Sequence, residues 1–134
     1  MLKIIIAENN AAIRQGVKRI LMGEFADATI DEVLTENALL QTIADNEYSL
    51  VIADVLTPGT SITEAIKKMK MLRPKTPVLV LSMYPFDHYA VSFLKAGANG
   101  YLTASLVPEK LITAVRTVLK GKTFPARQAL VQWY

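Results

Sequence analysis

The chain has 134 residues, of which 51% are hydrophobic and 20% are charged, and its formal net charge is +3. This length is typical of one domain, and the composition is too apolar and too weakly charged for an intrinsically disordered protein. The absence of cysteine excludes disulfides, thiolate zinc sites and cysteine nucleophiles. No apolar run approaches the ~20 residues that span a bilayer, and the N-terminus lacks the pattern of a secretory signal. We therefore expect a soluble, cytoplasmic protein of one domain.

Short, β-branched apolar runs alternate along the chain with segments of helical length and period. The runs that predict strands are residues 2–7, 28–34, 50–53, 78–81 and, more weakly, 101–102. The segments that predict helices are residues 11–22, 37–44, 61–72, 86–96 and 107–119. Pro108 in the first turn of the last segment and Gly121 just beyond it are typical helix boundary signals.

Runs that are apolar throughout are typical of strands buried on both faces of a parallel sheet. Five alternations of strand and helix predict a doubly wound α/β fold, with right-handed crossovers that place helices on both faces of one sheet. The chain shows no internal repeat and no linker before Gly121.

Polar residues follow the predicted strands at their carboxyl ends, where ligand sites form in open parallel sheets. A carboxylate cluster suits a hard divalent cation, and an aspartate beside such a cation can act as a nucleophile towards phosphorus. The same residue types also cap helices and form turns, so the pattern alone leaves both interpretations open. The residues are Glu8, Asn9 and Asn10 after the first strand, Asp54 after the third, Ser82 after the fourth, and Thr103 and Ala104 after the fifth.

Four stretches together resemble the receiver domain of bacterial two-component response regulators. They are residues 4–10 (IIIAENN), 51–59 (VIADVLTPG), 77–84 (PVLVLSMY) and 94–103 (LKAGANGYLT). The last two are most similar to NarL/LuxR-type transcriptional regulators, and the resemblance extends over residues 2–121. It implies a flavodoxin-like fold, with a five-stranded parallel sheet in the order 2-1-3-4-5.

The resemblance also implies a role for individual residues. Asp54 stands at the phosphoacceptor position, Ser82 at the switch hydroxyl and Tyr101 at the aromatic residue that follows this hydroxyl inward. Such a domain is a phosphoacceptor that at most catalyses its own phosphotransfer, not an enzyme in the usual sense. The implied ligands of a magnesium ion are Glu8, Asn9, Asp54 and the backbone carbonyl of Leu56.

Two positions depart from the family pattern. Asn9 replaces the second residue of an acidic pair, which keeps an oxygen ligand but loses a charge, so we expect weaker magnesium binding. Ala104 replaces a lysine that would contact the phosphoryl group. Two hypotheses stay open: a receiver phosphorylated on Asp54 with weaker coupling, or a pseudo-receiver that dimerises or binds proteins without phosphorylation. A small-molecule enzyme is disfavoured because no glycine-rich phosphate loop follows the first strand.

The resemblance further implies a sensor histidine kinase as partner and a homodimer, formed either by the first and last helices or by the fourth and fifth elements. Residues 1–121 correspond to the receiver. Residues 122–134 are similar to the start of a linker to a C-terminal helix-turn-helix module, so we expect DNA binding only through a part outside this chain, and no membrane partner.

Two features have plainer interpretations. His88 is the only histidine, and we interpret it as a surface residue. A basic cluster without interleaved aromatic residues is interpreted as a solvated face rather than a nucleic-acid site. Its members are Lys67, Lys68, Lys70, Arg73 and Lys75.

Overall fold

The computed structural model describes residues 1–54, 62–83 and 88–125, except the side chains of residues 88 and 89. The strands are β1 (Lys3–Ala7), β2 (Thr29–Val33), β3 (Leu50–Asp54), β4 (Val78–Ser82) and β5 (Gly100–Thr103). The helices are α1 (Ala11–Glu24), α2 (Glu36–Asp45), α3 (Ile62–Leu72), α4 (His88–Lys95) and α5 (Val107–Leu119). A 3₁₀ turn, Ala104–Leu106, joins β5 to α5.

The strands form one parallel sheet in the order β2-β1-β3-β4-β5. This confirms the predicted doubly wound α/β fold and its strand order. β3 and β4 each extend one residue further than predicted and thereby include Asp54 and Ser82. The predicted turn at Pro58 and Gly59, and the metal-ligand position Leu56, lie outside the described residues.

Helices cover both faces of the sheet and create two apolar clusters. One face packs against α2, α3 and α4, and the other packs against α1 and α5. β3 and β4 are therefore buried along their whole length. The expectation of burial on both faces is wrong for β2, which is an edge strand with exposed and half-buried residues.

Local signals set the helix boundaries. The Asn10 side chain accepts a hydrogen bond from the Ile13 N–H at 3.0 Å and caps α1. Thr35 caps α2 in the same way through the Ala38 N–H at 3.1 Å. α5 ends before Gly121, whose φ of +83° lies in the region that favours glycine. Among the described helices, none is long and apolar enough to cross a bilayer.

Two residues of the basic cluster form hydrogen bonds to neighbouring segments of the fold. The Lys70 ammonium donates hydrogen bonds to the Thr76 carbonyl at 2.9 Å and to Asn99 Oδ1 at 3.2 Å, and partial burial lowers its pKa. Arg73 Nε donates to the Ile43 carbonyl at 2.8 Å. The interpretation as a solvated face is therefore wrong for these two residues, because the end of α3 packs against neighbouring segments. It holds for Lys67, Lys68 and Lys75, which are exposed.

The chain returns to the sheet after α5. Phe124 forms a parallel bridge with Gly100 at the outer edge of β5. The Tyr101 N–H donates to the Phe124 carbonyl at 2.8 Å, and the Phe124 N–H donates to the Asn99 carbonyl at 3.0 Å. The start of the predicted linker thus pairs with the edge strand.

Candidate phosphorylation site

The carboxyl groups of Glu8 and Asp54 lie side by side at the carboxyl edge of the sheet. Ala7 in β1 pairs with Ala53 in β3, so the residues that follow them emerge at the same level. Both are buried, with 3% of Glu8 and 4% of Asp54 exposed. They line an open pocket of about 270 Å³. The other lining residues are Asn9, Asn10, Ile13 and Met83.

Burial of the Glu8 carboxyl raises its pKa to about 8, and the hydrogen bond and charge of Asp54 act in the same direction. The Asn10 N–H donates to Glu8 Oε1 at 2.8 Å and opposes this shift. Glu8 Oε2 is buried and accepts no hydrogen bond from any described residue. A buried carboxyl with a raised pKa is stabilised by a proton or by a nearby cation.

Among the described lining residues, Glu8 and Asp54 bring carboxylate oxygens and Asn9 brings an amide oxygen that a divalent cation could bind. Hard cations such as Mg²⁺ prefer oxygen ligands. The buried, unpaired Glu8 Oε2 is the kind of atom that such an ion satisfies, so these residues fit a magnesium ion. Within the described ranges no three His, Cys, Asp or Glu side chains cluster as a metal site.

The structure brings Ser82 to the same edge of the sheet. Asp54 pairs with Leu81 of β4, so Ser82 lies one residue beyond the level of Asp54, and 1% of it is exposed. Tyr101 is also buried, and its ring stacks on Phe93 of α4 with 5.9 Å between ring centroids. Ala104 begins the 3₁₀ turn after β5 and brings no charge to this edge.

Two charged residues near the site were not anticipated from the sequence. Glu36 is the first residue of α2 and is 6% exposed. Together with Ala7 and Asp54 it lines a small cavity of about 10 Å³. An acid in the first turn of a helix is an ordinary sequence signal, but nothing in the sequence indicated its burial.

Arg14 is the second charged residue near the site that was not anticipated. Its Nη1 donates to the Glu8 carbonyl at 2.9 Å, and its Nε donates to Glu32 Oε1 at 3.1 Å. The sequence placed Arg14 on the polar side of α1. Its position six residues after Glu8 was the only sequence feature that could have suggested a contact with the end of β1.

Residues 4–116 match the response regulator receiver domain family. The chain belongs to this family. Among curated proteins, this receiver domain is 32% identical over 124 residues to the oxygen regulatory protein NreC of Staphylococcus haemolyticus, which covers 92% of the chain and 57% of NreC. The NreC of Staphylococcus carnosus is equally similar. The receiver thus spans just over half the length of these relatives.

Solved structures agree with this assignment. A LuxR family DNA-binding response regulator from Silicibacter pomeroyi is 28% identical, with a TM-score of 0.79 over 96% of this chain and 99% of that one. The receiver domain of RcsB from Salmonella enterica, solved with a phosphomimetic, has a TM-score of 0.85 at 20% identity over 99% of both chains, which shows the shared fold. The resemblance to NarL/LuxR-type receivers is confirmed.

Two general statements follow from the family. It consists of receiver domains of response regulators. Receiver domains generally bind Mg²⁺ at an acidic pocket of this kind.

Proposed function

We propose that this receiver accepts a phosphoryl group on Asp54 from a sensor histidine kinase and thereby switches its dimerisation or partner binding to control transcription. One observation carries the proposal: the buried Asp54 carboxyl lies beside Glu8 in the wall of a pocket that opens at the carboxyl edge of the sheet. A phosphodonor can therefore approach from solvent while the nucleophile stays fixed at the end of β3.

The chemistry is a single transfer. A carboxylate oxygen of Asp54 attacks the phosphorus of a phosphohistidine, and the phosphorus–nitrogen bond breaks. The electron pair of that bond stays on the leaving imidazole nitrogen, and an aspartyl phosphate forms. Little covalent chemistry is asked of the protein, so positioning and charge balance determine the rate.

Glu8, Asn9 and Asp54 would hold the magnesium ion, with the backbone carbonyl of Leu56 as a further ligand. When bound, the ion supplies the positive charge that balances the carboxylates and the incoming phosphoryl oxygens. Because Asn9 provides an oxygen but no charge, we expect weaker binding than at a site with a third carboxylate.

Ser82 and Tyr101 are proposed to transmit the change. In this proposal the Ser82 hydroxyl donates a hydrogen bond to the phosphoryl group, and Tyr101 moves with it, so that the face formed by α4 and β5 changes its partners. The stacking of Tyr101 on Phe93 supports this, because any movement of the ring alters a contact with α4. Ala104 cannot donate a charged hydrogen bond to the phosphoryl group, so we expect weaker coupling than with a lysine.

Phosphorylation is tested with a small phosphodonor. The wild-type chain incubated with acetyl phosphate and saturating Mg²⁺ should gain the mass of one phosphoryl group in intact mass spectrometry. Asp54→Asn should gain none, and Asp45→Asn, which alters an exposed aspartate, should behave like the wild type. Absence of a mass gain in the wild type would contradict the proposal and would leave a phosphorylation-independent interaction module.

The coupling between phosphorylation and dimerisation is tested separately with Ala104→Lys. We expect this variant to dimerise more strongly on phosphorylation than the wild type in analytical ultracentrifugation. Equal dimerisation of the two proteins would show that the missing lysine does not limit the switch.

The partners follow from the same proposal. The kinase supplies the phosphoryl group in the cytoplasm, the receiver forms a homodimer, and DNA is contacted through a C-terminal domain outside these residues. NreC, which is longer than this chain, is named as an oxygen regulatory protein.

A further inference from the structure

Arg14 connects the end of β1 to the neighbouring strand β2. Its Nη1 donates to the Glu8 carbonyl at 2.9 Å, and its Nε donates to Glu32 Oε1 at 3.1 Å. The side chain is largely buried, with 16% exposed. Its own N–H donates to the Asn10 carbonyl at 3.0 Å in the first turn of α1, so the backbone that carries the side chain is fixed as well.

The carbonyl that Arg14 holds belongs to the peptide unit between Glu8 and Asn9. A peptide unit is planar, so fixing its oxygen fixes the orientation of the whole plane and the direction in which Asn9 leaves it. Glu8 and Asn9 are the two consecutive residues that would bind the magnesium ion. Arg14 therefore sets their relative orientation without reaching the ion itself.

Glu32 gives the arginine a fixed anchor. It lies in β2, directly opposite Ile6 of β1. Its Oε2 accepts from the Lys18 ammonium at 3.1 Å, one turn further along α1. A guanidinium presents its donors in a rigid fork, which lets Arg14 bind this carboxylate and a carbonyl at once, whereas an ammonium is a compact point charge.

We propose that Arg14 is a positioning residue for the metal site, and that it raises magnesium affinity by holding the Glu8–Asn9 peptide plane. The inference rests on the magnesium binding that belongs to the proposed function, and it does not depend on phosphorylation of Asp54.

The direction in which Arg14→Met changes magnesium affinity distinguishes a positioning role of Arg14 from a purely electrostatic one. Arg14 is positive and close enough to Glu8 to influence its carboxyl electrostatically. If charge alone mattered, Arg14→Met would remove a repulsive cation and tighten magnesium binding. Positioning predicts the opposite: a loss of about tenfold, at the lower end of the ~10–100-fold range found when residues that orient metal ligands are changed.

The experiment is a calorimetric titration of Mg²⁺ into the full chain, with folding checked by circular dichroism and thermal melting without the ion. Arg14→Lys keeps the positive charge but loses the planar guanidinium that donates to two acceptors at once, so we expect severalfold weaker magnesium binding. This variant tests the inference also in the case that Arg14→Met does not fold. Lys18→Met removes a cation from the same carboxylate without touching the Glu8 carbonyl, and its affinity should be unchanged or slightly higher.

Three results would overturn the inference: tighter binding by Arg14→Met, wild-type affinity in Arg14→Lys, or no magnesium binding by the wild type. The mass measurement on Asp54 reports separately on the proposed function. A wild type that binds Mg²⁺ but gains no phosphoryl mass would refute the phosphorylation and leave the role of Arg14 intact.

Discussion

At the scale of single residues, the burial of Glu8 beside Asp54 makes the metal-free site sensitive to pH. Burial and the neighbouring carboxyl raise the pKa of Glu8 from 4.5 to about 8. The folded protein therefore binds a proton that the unfolded chain releases at lower pH. By linkage, this contribution to stability is fully present below about pH 4.5 and is lost as the pH rises towards 8.

The comparison with Glu8→Gln isolates this effect. Glutamine keeps an acceptor for the Asn10 N–H and carries no charge, so the melting temperature of the variant minus that of the wild type should increase from pH 5 to pH 8. Between pH 5 and pH 8, the free energy of unfolding of the variant relative to the wild type should increase by an amount on the order of a few kcal/mol. The measurement is thermal melting with a chelator present.

Glu64→Gln serves as the matched control, because Glu64 is exposed and pairs with Lys67 at the surface. Its melting temperature should follow that of the wild type at every pH. A pH-independent difference between Glu8→Gln and the wild type would contradict the assignment.

At the scale of elements, side chains from one helix complete the end of another. α2 has no basic residue in its last turn. Arg73, just after α3, supplies that charge by donating to the carbonyls of Ile43 at 2.8 Å and Ala44 at 3.3 Å. The carbonyls at a helix C-terminus lack partners within the helix and attract cations.

Arg73→Met should therefore lower the free energy of unfolding by about 1–3 kcal/mol, because it removes the donor from the Ile43 carbonyl, which lies in a partly buried position. Urea denaturation measures this loss. Lys68→Met, which changes an exposed lysine of α3, should stay within about 0.5 kcal/mol of the wild type. Equal effects of the two substitutions would show that Arg73 does not cap α2.

β5 depends on the close approach of three neighbours to Gly100. A Cβ atom at this position would lie 2.8 Å from Leu79 Cδ1, 3.0 Å from Val118 Cγ1 and 3.2 Å from the Phe124 carbonyl oxygen. Gly100→Ala should thus destabilise the fold by about 1–3 kcal/mol through overpacking.

Gly16 provides the opposite case. It lies within α1, and a Cβ there would meet no atom within 4 Å. Gly16→Ala should stabilise the protein by about 0.5–1 kcal/mol, because alanine favours the helix. Chemical denaturation of both variants checks the pair, and a neutral Gly100→Ala would contradict the packing at β5.

At the scale of the whole molecule, the segment after α5 closes the outer edge of β5. Removing residues 122–134 deletes the two backbone hydrogen bonds that Phe124 makes with Tyr101 and Asn99. We expect the 1–121 chain to fold, but with a free energy of unfolding lower by about 1–3 kcal/mol.

Amide hydrogen exchange locates the effect. The Tyr101 N–H should exchange faster in the shortened chain, whereas the Val51 N–H, which donates to the Pro77 carbonyl in the centre of the sheet, should show only the change in global stability. Unaltered Tyr101 exchange would contradict the pairing at the edge of β5.

The sequence by itself determined the alternation of strands and helices, the boundary signals of α5 and the position of the polar residues at the strand ends. These features are encoded locally, in periodicity and in boundary residues such as Asn10 and Pro108. Because parallel strands end at one edge, the meeting of Glu8, Asp54 and Ser82 followed from strand positions alone.

Only the tertiary structure decided the burial and contacts of charged side chains. Arg14 meets Glu32, Arg73 meets Ile43 and Phe124 meets Gly100 across 18 or more positions of the chain. No local pattern specifies such distances, since they arise from the packing of separate elements. The raised pKa of Glu8 has the same origin, because desolvation depends on what the folded chain places around the carboxyl.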